Sequence, residues 1–236
     1  MLRNLLALIL ILNLTACAEL QQVVNQLPQG GGLSNADIAS GLRQALDFGI
    51  DKQVRKLTAK DGFFKNELVK ILLPDELKKV DKTLRDIGLS KLADEGLKIL
   101  NRAAEDAVKE ATPIFVNAVK DITFTDAKNI LLGNDDAATQ YLTRKTKTDL
   151  YEKFHPVIKN SFTKVGAEQI WKNLINRYNN IPFTKDVNPD LTDYVTGEAL
   201  KGVYTMIAIE EKEIRTKLSS RTTNLLKRVF AMQDRK

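Results

Sequence analysis

The sequence predicts an all-α fold, an irregular multi-helix bundle of about eight to ten helices behind a signal peptide and a flexible tether. Three observations lead there. Apolar residues recur at helical spacing in long stretches, and the clearest stripe, Leu97, Leu100, Ala104, Val108, Ala111 and Phe115, stays within about 60° of one line at 100° per residue. No segment alternates apolar and polar residues over more than a few positions, as strands would. The chain also carries a single cysteine, which excludes a disulfide framework.

The elements follow in order. Met1-Leu2-Arg3-Asn4 and the unbroken apolar run Leu5 to Leu12 read as the charged and apolar regions of a signal peptide over residues 1–16. As a helix that run covers only about 12 Å, far short of a bilayer. Leu14-Thr15-Ala16-Cys17 resembles the lipobox of bacterial lipoproteins. The small side chains of Thr15 and Ala16 suit a signal peptidase, and the Cys17 thiol is expected to take a diacylglycerol group, with palmitate-type chains, before the cut in front of it. One acyl chain binds a membrane marginally, whereas the two or three of a bacterial lipoprotein hold it stably. By resemblance to known sorting signals, Ala18 in place of an aspartate implies the outer membrane, with the protein facing the periplasm.

Residues 17–33, rich in glutamine and ending in Gly30-Gly31-Gly32, read as the lipidated cysteine and a flexible tether. Residues 34–236 then form one helical domain. Ser34 is placed to cap a first helix with Asp37 in its first turn and Ile38, Leu42, Ala45 and Leu46 on one face. A turn around Asp61-Gly62 follows, and Leu73-Pro74-Asp75-Glu76 restarts a helix. Pro113 is expected to kink or divide the Leu97 to Phe115 stripe. Thr125-Asp126 reads as the cap of a short helix that stops at Leu132-Gly133, and Asn134-Asp135-Asp136 opens the next. Leu150, Phe154, Ile158, Phe162 and Val165 mark one further helix, with His155-Pro156 as an interruption or boundary. Ile170, Trp171, Leu174, Ile175 and Tyr178 mark another, before a loop over 179–190. The last long stretch runs from Leu191 to about Leu218, after which Ser219-Ser220 caps a terminal helix with Leu225, Leu226, Val229 and Phe230.

Several short motifs, in order, carry a family resemblance. Asn101-Arg102-Ala103-Ala104-Glu105, Pro113-Ile114-Phe115, Asp126-Ala127 with Ile130-Leu131 and Gly133, and Ala137-Ala138-Thr139-Gln140-Tyr141 are similar to the domain-of-unknown-function family 4197 of bacterial lipoproteins. Tyr194-Val195-Thr196, Met206-Ile207-Ala208, Glu210-Glu211, Ile214-Arg215 and Val229-Phe230 continue the similarity, which spans roughly Leu33 to Phe230. The resemblance implies a helical envelope lipoprotein and supplies no catalytic residue.

Composition and motifs narrow the function classes. Removal of residues 1–16 takes away Arg3, so 35 basic residues face 30 acidic ones and the formal net charge falls from +6 to +5. The basic residues alternate with acids, as in Lys78-Lys79-Val80-Asp81-Lys82, which describes a solvated helical surface and not a nucleic-acid site. No Gly-x-Ser-x-Gly elbow, dinucleotide fingerprint or phosphate loop is present, and His155 is the only histidine. Glu152 and His155 share a helical face at the i, i+3 spacing of a di-iron motif, yet such sites need two motifs, so neither metal nor other cofactor is expected. Asp126, Asp135 and Asp136 lack the alternating acids of a calcium loop and read as helix caps.

Two polar residues fall on apolar faces. Asn101 lies about 40° from Leu97 on its stripe, and Glu211 about 20° from Leu200 and Leu218 on the line that also carries Val203, Ile207 and Ile214. A buried carboxylate needs a partner, so Glu211 is expected against the helix carrying Asn101 and Arg102 or against another basic or donor group. Asn101, Arg102, Glu105 and Glu211 are therefore the candidate buried polar network or ligand site, with Cys17 the lipidation site. The expected partners are the membrane, through the lipid on Cys17, and an envelope protein or an apolar ligand. No nucleic acid is expected. A non-catalytic interaction or scaffolding module leads the function classes, followed by a carrier of a small apolar or lipid ligand between helices, and then an unrecognised enzyme.

Overall fold

Among the described residues, seven stretches of eight residues or more satisfy their backbone hydrogen bonds as α-helices, and a shorter helix of seven residues follows them. The structure is a computed structural model describing residues 33–86, 88, 90–166, 171, 172, 176, 179 and 190–235. In chain order the helices are α1 (Asn35–Thr58), α2 (Lys78–Asp86), α3 (Ser90–Val108), α4 (Ala111–Lys120), α5 (Phe124–Leu131), α6 (Ala137–Lys164), α7 (Leu191–Thr216) and α8 (Asn224–Phe230), and no strand occurs among the described residues. Three 3₁₀ turns, Asp75–Leu77, Leu218–Ser220 and Gln233–Arg235, join or end them. Residues 36–236 make up one compact unit.

Among the described residues the count of long helices is lower than expected, in part because α6 is unbroken. Its 28 residues pass through Pro156, where the sequence predicts an interruption. Leu142, Leu150, Phe154 and Ile158 are fully buried along one face of α6, and burial of each such side chain contributes about 1.5 to 3 kcal/mol, enough to offset a missing backbone bond. Pro113 does divide its stripe. It stands in the first turn of α4, where its absent N–H has no intrahelical role.

Two caps lie elsewhere than the local pattern suggests. Thr123, and not Thr125, closes α5 in a capping box with Asp126: its hydroxyl accepts from the Asp126 amide at 3.1 Å while the Asp126 carboxylate accepts from the Thr123 amide at 3.0 Å. Thr223 caps α8, accepting from the Leu226 amide at 3.2 Å, whereas Ser219 and Ser220 belong to a 3₁₀ turn. The helix expected around Ile170 to Tyr178 and the loop over 179–190 lie almost entirely outside the described residues. Trp171, which is described, is buried.

The core is organised around α6, which packs on α3, α4, α5 and α7, most extensively on α7. The facing side of α3 presents Ala103, Ala104 and Ala107, all within 1% of full burial, and small side chains allow close helix approach. Tyr204 of α7 ties three elements together. Its ring meets Phe115 of α4 edge-on, centroids 6.1 Å apart, and its hydroxyl hydrogen-bonds Thr146 of α6 at 2.8 Å. No helix among the described residues is long and apolar enough to cross a membrane.

Candidate functional site

Between α5 and α6 the chain reverses, which leaves carbonyls unsatisfied at the end of one helix and amides at the start of the next. The local candidate cap, Asp136, forms no capping bond; its carboxylate accepts instead from the side-chain Nε2 of Gln140, at 3.0 Å. The cap comes from α7. Glu211 accepts from the Ala138 amide at 2.9 Å, the Thr139 amide at 2.8 Å and the Thr139 hydroxyl at 2.8 Å. Those amides are the second and third of α6, the positions an N-cap satisfies, and they carry the positive end of the helix dipole.

One turn along α7, Arg215 completes the arrangement. It donates to Glu211 from Nε at 3.1 Å and Nη2 at 2.8 Å, to the Ile130 carbonyl at 2.8 Å and to the Leu131 carbonyl at 3.1 Å. The pair is buried, with side-chain exposures of 4% and 5%. The network continues to the C-terminus. Gln233 accepts from Arg215 Nη1 and donates to the Arg215 carbonyl, each at 2.8 Å, while Arg221 donates to the Ile214 and Arg215 carbonyls and pairs with Asp234.

A second network holds the connection between α1 and α2. Asn101 of α3 is fully buried; its Oδ1 accepts from the Ile71 amide and its Nδ2 donates to the Ile71 carbonyl, both at 2.8 Å, so a side-chain amide takes the place of a neighbouring strand. Glu105, one turn on, accepts from the Phe63 amide at 3.2 Å and pairs with Arg102, which reaches Asp61 at 2.7 Å. Asp61 adopts a left-handed conformation with φ 65°, and the next residue must be glycine: a Cβ on Gly62 would lie 2.4 Å from the Lys56 carbonyl.

The four polar residues singled out in the sequence thus divide between two places. Asn101, Arg102 and Glu105 fix the 61–71 segment, and Glu211 clasps the α5–α6 reversal. Arg215, Arg221 and Glu210 belong to the buried polar set as well. Arg215 was findable, since a basic residue four positions after an inward-facing glutamate shares its face. Glu210 accepts from Gln53 at 2.6 Å and Lys52 at 2.8 Å, linking α1 to α7. Cys17 lies outside the described residues. Among the described residues no three His, Cys, Asp or Glu side chains could hold a metal ion, and His155 stacks near Tyr151 with centroids 5.6 Å apart.

Concave surface occurs where the second network meets α7. A groove of about 650 Å³ runs between residues 68–75 and the face of α7 bearing Tyr194, Glu198, Lys201 and Thr205. Leu68 and Leu72 stand on it 65% and 52% exposed. Gly202 forms part of its floor, where a Cβ would come 2.7 Å from the Phe63 ring. A second hollow of about 350 Å³, lined by Leu72, Leu73, Lys78, Asp81 and Leu97, adjoins it. By contrast, the hollow lined by Leu42, Ile50, Ile207 and Phe230 together with Glu211 and Arg215 is about 20 Å³, room for about one water molecule.

A family model described as a protein of unknown function (DUF4197) matches residues 32–231. Neither a curated protein nor a solved structure matches the chain.

Proposed function

We propose that this chain, which belongs to the DUF4197 family of proteins of unknown function, is an envelope lipoprotein whose helical domain is a non-catalytic interaction module. In this reading the lipid on Cys17 holds it at the outer membrane, facing the periplasm, and the groove beside α7 receives an envelope protein. The observation that carries the reading is where the polar side chains are spent. Asn101, Glu105, Glu211 and Arg215 give their hydrogen bonds to backbone groups and to one another, which is the work of holding helix ends and a loop in place. Two exposed leucines, Leu68 and Leu72, meanwhile stand on a broad open groove rimmed by charged side chains, and large apolar side chains left exposed within a polar rim mark a candidate interaction site. A carrier of apolar ligands draws little support from a hollow of about 20 Å³ that Glu211 and Arg215 help to line.

A photo-crosslinking amino acid at Leu72, with Phe48 as an exposed control on α1, tests this in living cells. The expected result is a discrete protein adduct at position 72 that weakens when Tyr194 is replaced by arginine. No protein adduct at 72, or the same adducts at both positions, would remove the reading.

A further inference from the structure

The 70–74 segment has the properties of a strand edge held open. Its residues belong to no helix, turn or bend, and their side chains alternate, with Ile71 and Leu73 buried and Leu72 exposed. In an extended chain the backbone groups of successive residues point to opposite sides. Those of Ile71 go to Asn101, so those of Lys70 and Leu72 face the other way. That side is the groove: the Leu72 carbonyl accepts from the Tyr194 hydroxyl of α7 at 2.9 Å. The Lys70 amide is used locally, donating to the Asn66 carbonyl at 2.8 Å. Among the described residues, the Lys70 carbonyl and the Leu72 amide have no partner.

An acceptor on one residue and a donor two positions on is the pair that a single residue of a parallel strand satisfies. We infer that the groove takes an extended polypeptide strand bearing acidic side chains, which pairs with the Lys70 carbonyl and the Leu72 amide. The inference rests on the groove being the interaction face. Charge supports the acidic choice. Of the lining residues, Asp75 is paired with Lys78 at 2.6 Å and Glu198 with Lys201 at 3.4 Å, which leaves Lys70, whose ammonium lies 4.9 Å from the Phe64 ring centroid, with a 3.8 Å contact to the exposed Glu67 as its one carboxylate partner among the described residues. Strand addition of this kind draws affinity from main-chain bonds and specificity from side-chain contacts.

The test is fluorescence anisotropy of the full lipidated chain in mild detergent with a labelled peptide of about eight alternating valines and glutamates. Saturable binding is expected, weakened about tenfold by Lys70→Glu and by exchange of the peptide's glutamates for lysines. Leu72→Pro, which removes the free amide, is expected to abolish it. Because a proline there also constrains the backbone of the folded segment, the same peptide with single N-methylated residues is titrated against the unaltered chain, and one central position should lose about tenfold. Absence of saturable binding, or binding indifferent to N-methylation, overturns strand addition. If the crosslink at Leu72 still captures a protein when the peptide does not bind, the interaction module stands and only its strand-type ligand falls. If both fail, the groove is not the interaction face.

Discussion

Glu211 and Arg215, one turn apart on α7, divide a chain reversal between them: the carboxylate holds the amides that open α6, and the guanidinium holds the carbonyls that end α5. Each ion therefore satisfies its partner and a helix end together. A buried ion pair alone is weak evidence of stability, because desolvation of both charges offsets most of their attraction. Here the backbone groups would be orphaned without it.

This separates the pair from an ordinary buried salt bridge in a mutational series. Glu211→Gln keeps the shape but turns an amide donor toward other donors, and is expected to cost about 1.5 to 3 kcal/mol. Glu211→Ala, which strands Arg215, should cost about 3 to 5 kcal/mol. The double variant Glu211→Met, Arg215→Met decides between the accounts. It leaves the Ala138 and Thr139 amides and the Leu131 carbonyl without partners, so it should stay at least about 2 kcal/mol below the parent in denaturant melts. A double variant as stable as the parent would sink the capping account.

Asn101→Leu preserves volume while deleting both bonds to Ile71. Its expected cost is about 2 to 4 kcal/mol, since a donor and an acceptor are left buried. Hydrogen exchange localises the effect. The Ile71 amide should lose protection while the amides of α6 keep theirs relative to the new global stability; equal protection of Ile71 in both proteins would show that another group holds the segment.

What the sequence could reveal depended on the range of the interaction. The period of Leu97 to Phe115 set a helical face, and the phase of Glu211 between Ile207 and Ile214 pointed it inward. What Glu211 touches was out of reach, because Ala138 and Thr139 lie 73 and 72 residues away. The cap at Thr123 was legible and missed: only Thr123 has an acid three positions on, as a capping box requires, whereas Thr125 adjoins Asp126. The groove left no sequence signal. Its edge is the backbone of a loop, extended because of a side chain 30 residues further on.

Acid should release the C-terminus at a defined point. The hydrogen bond from Arg221 holds the Asp234 carboxyl below its ordinary value of 3.8, against the opposing effect of burial. A carboxylate depressed in the folded state contributes stability above its unfolded value and loses it as pH falls through the folded one. The turn Gln233–Arg235 should therefore stay docked above the ordinary carboxylate value of 3.8 and loosen only as pH falls below it. Amide chemical shifts of Gln233 and Asp234 follow this directly. Asp234→Asn should remove the acid transition, and a midpoint well above 3.8 would exclude Arg221 as its cause.

Cys17→Ser should yield a precursor that incorporates no fatty-acid label, because in the proposed reading the lipid attaches through that sulfur. Metabolic labelling of cells expressing either form measures it. Incorporation by the variant at the parental level would remove the lipoprotein assignment and with it the membrane as a partner.

Pro156→Ala should stabilise the protein. Pro156 lies within α6 with its ring exposed, and it offers no N–H to the Glu152 carbonyl four residues earlier. Phe154 and Ile158, fully buried, set the course of the helix past this point, so the ring is not needed to direct it. Interior proline costs about 3 kcal/mol relative to alanine, but water satisfies part of the free carbonyl at an exposed position. A gain of about 1 to 2 kcal/mol is therefore expected, read as a higher denaturant midpoint with an unchanged slope. The gain should come without any change in crosslinking at Leu72, since the groove is built from α7 and the 68–75 segment, not from α6. A loss of stability instead would mean that the packing of α6 on α3 and α7 requires a bend that the proline imposes.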